Sequence, residues 1–222
     1  MNLSDKQLKY EKALEYEIFV KGEYSFAKKE IENAKCIFDI WWHIWLFSKR
    51  CRTLNSDAEI YYFEPVEEFY KKAKLTLWND KNLILNNLWV GAKSGIWNIL
   101  LNSEKTMQSS KYTSFLNPDW KEIKSEFITL CEYLHDNNVD KIDVLKMDIE
   151  WMEFEVLGSR WDFERWKIAN LITEIHLLDE EKKHQWNQIF LKIKNIFWNV
   201  KVIDSGYREE IFLIWANKEP WL

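Results

Sequence analysis

The feature that most constrains the fold is a regular alternation of short apolar runs with longer segments of helical character. Helices are predicted from Pro65 to about Leu77 and from Glu180 to Ile196. Four apolar runs have the length and composition of buried strands: Lys35–Ile40, Ala58–Phe63, Ile142–Asp148 and Leu171–His176. Strands that alternate with helices form a mostly parallel, doubly wound sheet covered on both faces. We therefore expect an α/β fold.

Other apolar runs extend this sheet. Asn82–Val90 and Ile96–Leu101 are predicted as strands around a glycine turn, followed by a loop from Ser103 to Asp119 and a short strand that ends at Thr129. Near the C-terminus, Val200–Ile203 and Ile211–Ala216 follow one another without a helix between them. This pair predicts one antiparallel edge strand, and hence a mixed sheet of seven strands.

The chain shows no internal repeat and no linker rich in proline or glycine, and 222 residues suit a single α/β domain. The charged N-terminal part has scattered apolar positions that are typical of surface helices. We expect an N-terminal helical segment at residues 1–34 and an α/β domain at residues 35–222.

Charge and cysteine content limit the function classes. A net charge of -5 without a basic stripe argues against a nucleic-acid partner. The three cysteines form no CxxC pair, which favours neither a disulfide framework nor a zinc site. No apolar run resembles a secretory signal or a transmembrane segment. We expect a cytoplasmic protein, whose oligomeric state the sequence leaves open.

The first strand ends in a distinctive turn, Asp39-Ile-Trp-Trp-His-Ile-Trp45. If glycine stood at positions 41 and 45, the turn would read D-x-G-x-x-x-G, which resembles the first motif of methyltransferases. Glycine is used in such turns because it lets the backbone approach a cofactor closely. As it is written, the three Trp residues equally suit an aromatic patch that packs in the core or against a partner.

The second strand ends at Glu64-Pro65, 25 residues after Asp39. A carboxylate at this place accepts hydrogen bonds from the ribose hydroxyls of a nucleoside cofactor. The alternative is an ordinary acidic residue at the start of a helix.

The most specific motif is Lys146-Met-Asp148-Ile-Glu150-Trp151-Met-Glu153. It resembles the K-x-D-x-E-G-x-E run of FkbM-type methyltransferases, with Trp151 in the glycine place. The resemblance covers roughly residues 35–178 and includes the strand end Glu174-Ile-His176. It implies a single Rossmann-like methyltransferase domain, S-adenosylmethionine as cofactor, and O-methylation of a hydroxyl on a small-molecule or glycan acceptor such as a natural product.

The same resemblance assigns roles to particular residues. It implies that Asp39, Trp41, Trp45 and Glu64 bind the cofactor. His43, which stands where the family commonly has Asn, is a further candidate for this contact. Asp148 is expected beside the methyl-transfer centre, and no metal is expected.

His176 is the second catalytic candidate, because active sites of α/β sheets lie at the carboxyl ends of strands. A hydrogen-bonded structural histidine is the alternative interpretation. We also considered a metal cluster of Asp148, Glu150 and His176, but favour the metal-free interpretation.

Tryptophan is abnormally frequent, with 14 residues against only 5 glycines. Glycine is thus about 2% of the chain, where about 7% is usual. Trp41, Trp45 and Trp151 all stand in family glycine positions. We therefore predict that UGA codons, which some genetic codes read as glycine, have been translated here as Trp.

Two alternative functions remain. A Trp-filled turn in the real protein would make the chain a catalytically inactive, Rossmann-like interaction module. A nicotinamide-dependent oxidoreductase would need G-x-G-x-x-G after the first strand, and positions 41, 43 and 46 do not supply it even with glycine restored.

Overall fold

The computed structural model describes residues 5–41, 45–77, 79–102, 109–110, 120–149, 152–159, 167–177, 180–204 and 211–218. The α-helices of these ranges are α1 (Asp5–Tyr16), α2 (Lys28–Asn33), α3 (Leu46–Leu54), α4 (Glu67–Thr76), α5 (Leu130–Asp136), α6 (Glu153–Gly158) and α7 (Glu180–Ile196). A π-helical turn (Glu17–Lys21) and a 3₁₀ turn (Ser25–Ala27) lie between α1 and α2.

The strands fall into two groups. The first group comprises β1 (Cys36–Trp41), β2 (Glu59–Phe63), β3 (Leu83–Asn86), β8 (Lys141–Asp148), β9 (Lys167–His176), β10 (Asn199–Asp204) and β11 (Ile211–Asn217). The second comprises β4 (Trp89–Val90), β5 (Gly95–Asn102), β6 (Ser109–Ser110) and β7 (Trp120–Ile128).

The first group forms a seven-stranded sheet in the order β10-β11-β9-β8-β1-β2-β3. All of these strands are parallel except β11, which is antiparallel to both of its neighbours. The expected mixed, mostly parallel sheet is confirmed. The expectation that the antiparallel strand lies at the edge is wrong, because β10 occupies the edge and β11 lies between β10 and β9. The chain passes through α7 to the edge position and then returns as β11.

The second group forms a separate four-stranded sheet in the order β4-β7-β5-β6, which the sequence did not predict. The run expected as one strand, Asn82–Val90, is divided between the two sheets. Asn87 lies at the break, and its side-chain amide donates to the backbone carbonyls of Glu64 (2.8 Å) and Pro65 (3.1 Å).

The segment after this break differs from expectation as well. The strand that ends before Thr129 is nine residues long rather than short, because it pairs with β5 from Trp120 to Phe127 and with β4 at its end. The loop expected at residues 103–119 contains the short strand β6, and its remaining residues lie outside the described part of the chain.

The core lies on both faces of the seven-stranded sheet. Ile37 and Phe38 of β1 and Val144 and Leu145 of β8 are fully buried in consecutive pairs, as expected for strands with helices on both sides. Among its described residues, the N-terminal helical segment contributes six buried side chains to the same core: Leu14, Ile18, Tyr24, Ala27, Ile31 and Ala34. Among the described residues, no helix has the length and apolar character needed to cross a membrane.

Candidate active site

Four parallel strands bring their carboxyl ends to one edge of the sheet. β9, β8, β1 and β2 are consecutive neighbours, and Trp41 is in register with Asp148. The strand ends at Trp41, Phe63, Asp148 and His176 therefore lie side by side. In open α/β sheets, ligands bind at this edge. The sequence-predicted residues Asp39, Glu64, Asp148 and His176 are all brought to it.

Asp39 connects β1 to the helix that follows the turn. Its Oδ2 atom accepts two hydrogen bonds from Ser48, from the backbone N–H at 3.0 Å and from the hydroxyl at 2.5 Å. The side chain is fully buried, and Oδ1 has no hydrogen-bond partner among the described residues. Burial raises the pKa of Asp39 to about 6, although Lys146 and the two bonds from Ser48 oppose this shift.

Glu64 follows β2 directly and is also fully buried. Its Oε1 atom accepts a hydrogen bond from the backbone N–H of Val66 at 2.7 Å, and Oε2 lies 3.5 Å from the hydroxyl of Tyr62. The carboxylate is thus held in one orientation just before α4.

The middle of the site contains a buried ion pair. Lys146 Nζ lies 3.4 Å from Asp148 Oδ2, and the two side chains are only 1% and 8% exposed. Lys146 is also the register partner of Asp39 on the neighbouring strand. The other oxygen of Asp148, Oδ1, is buried and accepts no hydrogen bond from the described residues.

His176 is held by an acidic residue from a different element. Its Nδ1 atom lies 3.0 Å from Oε1 of Glu153, the first residue of α6, and the same oxygen accepts the backbone N–H of Ile149 at 3.3 Å. A carboxylate at Nδ1 favours the tautomer in which Nδ1 carries the proton and Nε2 has a lone pair. The sequence motif contained Glu153, but gave it no role.

Glu174 completes a cluster of potential metal ligands. Donor atoms of Asp148, Glu174 and His176 all lie within 4.8 Å of one another. The sequence-based cluster had Glu150 in place of Glu174, and Glu150 lies outside the described residues.

The N-terminal segment adds two residues that sequence reasoning missed. Burial raises the pKa of Glu23 to about 7; Lys146 opposes this shift, whereas Asp148 adds to it. Tyr24 is buried beside Glu23, and its ring meets that of Phe47 edge-on at 4.9 Å. Neither residue belongs to a motif, and only the packing of the N-terminal turns brings them to the site.

The aromatic turn is described in part. Trp41 is the last residue of β1, and only its backbone is described. His43 lies outside the described residues. Trp45 is buried, with Lys72 Nζ 5.5 Å from its ring centroid. Its φ of −68° is ordinary for any residue. At position 45, glycine would therefore supply space rather than a special backbone conformation.

Comparisons with known proteins agree with this architecture. The model of the methyltransferase FkbM domain matches residues 41–202, which is more than two thirds of the chain. No curated protein sequence matches this chain.

Three solved structures have similar folds. A methyltransferase from Geobacter sulfurreducens aligns over 99% of this chain and 92% of its own, with a TM-score of 0.51 and 11% identity. A SAM-dependent O-methyltransferase from Thermotoga maritima aligns over 92% and 67%, with a TM-score of 0.50 and 12% identity. A candidate methyltransferase from Streptococcus mutans, in complex with SAH, aligns over 87% and 96%, with a TM-score of 0.50 and 10% identity. At these identities, the likeness shows the Rossmann-like fold.

Proposed function

The chain belongs to the FkbM methyltransferase family, and from this premise we propose that it methylates a hydroxyl oxygen of a glycan or natural-product-like acceptor. The observation that best supports the proposal is the meeting of four buried polar side chains at one sheet edge: Asp39, Glu64, Asp148 and His176. Buried polar and charged groups are costly without partners, and are typical of functional sites.

S-adenosylmethionine is the cofactor of this family. When bound, it supplies an electrophilic methyl group whose bond to sulfur breaks as the acceptor oxygen attacks. The residues present fit such a ligand. Asp39 Oδ1 is a buried acceptor without a partner among the described residues, so a cofactor donor would remove an energetic cost.

Glu64 is the proposed partner of the ribose hydroxyls. An ionised carboxylate has about four acceptor positions, so the bond from Val66 is compatible with two more donors. Trp41, His43 and Trp45 occupy the turn that would face the cofactor. At positions 41 and 45, we propose that glycine provides the space the ligand needs.

Asp148 and His176 are proposed to act on the acceptor hydroxyl. With Nδ1 held by Glu153, Nε2 is the ring nitrogen that would take the proton of the acceptor hydroxyl. Asp148 Oδ2 lies 3.4 Å from Lys146 Nζ, and the carboxyl group provides the second acceptor. Burial of this cluster excludes water, which favours methyl transfer to the acceptor over side reactions.

A methyl-labelled cofactor tests the proposal. The chain with glycine at positions 41, 45 and 151 is incubated with labelled S-adenosylmethionine and a panel of sugars, polyols, amino sugars and uronic acids. We expect label in an alkali-stable methyl ether. Label found only in amines or in carboxyl esters would overturn the assignment to hydroxyl oxygen.

The inactive-module alternative is tested on the same protein by calorimetry. An enzyme of this kind binds S-adenosylmethionine before any acceptor is supplied. If neither the glycine form nor the chain as written binds the cofactor, the interaction module becomes the better interpretation.

A further inference from the structure

Three donor side chains at the ends of β8 and β9 are close enough to share one ion. Asp148, Glu174 and His176 provide two carboxylate oxygens and one imidazole nitrogen, all within 4.8 Å of one another. Two ligands bound at about 2.1 Å to one cation are separated by roughly 3 to 4 Å. Small side-chain rotations would bring the three donors to that spacing. We propose that these residues form a divalent-cation site beside the methyl-transfer centre.

An independent observation supports a ligand at this point. The side chain of Asp148 is 8% exposed, and its Oδ1 atom has no hydrogen-bond partner within the described residues, while Lys146 approaches Oδ2. Leaving a buried carboxylate oxygen unsatisfied is unfavourable by about 1–3 kcal/mol or more. A cation at Oδ1 would satisfy it without displacing Lys146.

The surroundings of His176 are those of a metal ligand. Histidines that bind metals generally donate their second ring N–H to a carboxylate, which fixes the orientation of the ring. Glu153 occupies that position, at 3.0 Å from Nδ1, and is itself fully buried. The site ligand is then Nε2.

The local charge balance also favours a cation. Asp148, Glu174 and Glu153 contribute three carboxyl groups beside the amine of Lys146, and Glu23 and Asp39 also interact with Lys146 and Asp148. Acidic groups therefore exceed basic groups around the proposed site among the described residues. Because these groups are largely buried, water compensates this excess poorly.

The donor set indicates which cations bind. Mg²⁺ and Ca²⁺ prefer oxygen ligands, whereas an imidazole nitrogen favours first-row transition metals. Mn²⁺ accepts both ligand types and is the probe we choose. Three protein ligands leave positions for water or for the acceptor oxygen, which a cation would polarise. A role of the cation in methyl transfer rests on the proposed function, and Asp148 and His176 would then act through the ion. Binding of the cation itself does not depend on that function.

Electron paramagnetic resonance on the full chain tests the site without cofactor or acceptor. Titrated Mn²⁺ loses its hexaaquo signal when it binds, and spin-echo modulation detects a directly bound ¹⁴N nucleus. We expect one Mn²⁺ per chain with a ¹⁴N coupling. The coupling is expected to disappear in His176→Ala, and Glu174→Gln should weaken binding at least 10-fold. Glu153→Gln, which removes the carboxylate charge from the partner of the ligand, should weaken it by about 10–100-fold.

Two controls keep the test specific. His184→Ala on α7 and Glu59→Gln at the start of β2 change exposed residues away from the cluster, and should leave Mn²⁺ binding unchanged. Absence of bound Mn²⁺ at millimolar concentration, or binding without a ¹⁴N coupling, would overturn the site. Binding that Glu174→Gln leaves unchanged would do the same. A result that overturns the cation site would not contradict the proposed methyltransferase function, which cofactor binding and label transfer test separately.

Discussion

The Nδ1 atom of His176 lies 3.0 Å from Oε1 of Glu153, and their side chains are 5% and 0% exposed. The contact joins the end of β9 to the first residue of α6, the element that precedes β9, so a helix start and a strand end together fix one imidazole ring. A ring held in this way keeps Nε2 in a constant direction. That direction is the basis of both roles proposed for His176.

We expect His176→Ala and Asp148→Asn to lower turnover on the true acceptor. A group that transfers a proton typically contributes about 10²–10⁴-fold to the rate. Steady-state kinetics with His184→Ala as the control measures the effect. Full activity in both variants would mean that the rate enhancement comes from aligning cofactor and acceptor, without proton transfer by these residues. The assignment of His176 and Asp148 would then be wrong.

Glu64→Ala, in the chain with glycine at the Trp positions, should weaken cofactor binding. Losing charge-assisted hydrogen bonds to ribose costs about 1.5–3 kcal/mol, or roughly 10- to 150-fold in the dissociation constant. Calorimetry with S-adenosylmethionine provides the measurement. Glu59→Ala, at the exposed start of the same strand, is the matched control. Equal affinities for the two variants would remove Glu64 from the site.

Ser48→Ala should destabilise the fold through Asp39. The variant removes the 2.5 Å bond from the hydroxyl and leaves a buried carboxylate with one fewer donor. A hydrogen bond to a charged group is worth about 1.5–3 kcal/mol. Thr53→Ala removes an exposed hydroxyl on the same helix and should change the free energy of unfolding by about 0.5 kcal/mol or less. Equal losses in denaturant titrations would show that the Asp39 contact is not stabilising.

Asp39 should make stability depend on pH in a defined direction. Its pKa is raised from the ordinary value of 3.8 to about 6, because burial disfavours the charged form. The folded state therefore binds more protons than the unfolded state between these values, and the contribution of Asp39 to stability falls as pH rises from about 4 to 6. The stability of Asp39→Asn relative to the unmodified protein should rise over the same interval. A difference that is independent of pH would contradict the raised pKa.

The native protein should carry glycine at positions 41, 45 and 151. Trp45 already fills buried space beside the turn, and an indole is far larger than the few methylenes that cost about 1–3 kcal/mol when a core is overpacked. Mass spectrometry of peptides around Asp39 and Asp148, from protein purified from its source organism, distinguishes the two residues by mass. Genuine Trp at these positions would refute the recoding and favour the inactive module.

The sheet and the strand ends could be predicted from sequence because each depends on a local pattern. The apolar run before Asp148 and the Glu64-Pro65 boundary both mark the place where a strand stops. Parallel pairing then brings those ends together without further information. The K-x-D-x-E motif located Asp148 for the same reason.

Other parts of the site depend on tertiary packing and left no local signal. Glu23 reaches the neighbourhood of Asp148 only because the N-terminal turns pack onto the sheet. Glu174 was noticed at a strand end, but its closeness to Asp148 depends on the register of β8 with β9. The division of Asn82–Val90 between two sheets depends on Asn87, whose partners lie in the preceding strand-to-helix connection.

The position of β11 has a consequence for the order in which the protein is assembled on the ribosome. β11 pairs with β9 from Asn170 to His176. Until residues 211–217 leave the ribosome, the backbone hydrogen-bonding groups on that side of β9 therefore have no neighbouring strand. β11, which follows the other described strands along the chain, is thus the strand that covers the side of β9 that faces away from β8. A nascent chain can complete β1, β2 and β8 early, but the strand that carries the candidate histidine gains its second neighbour only after residues 211–217 have been synthesised.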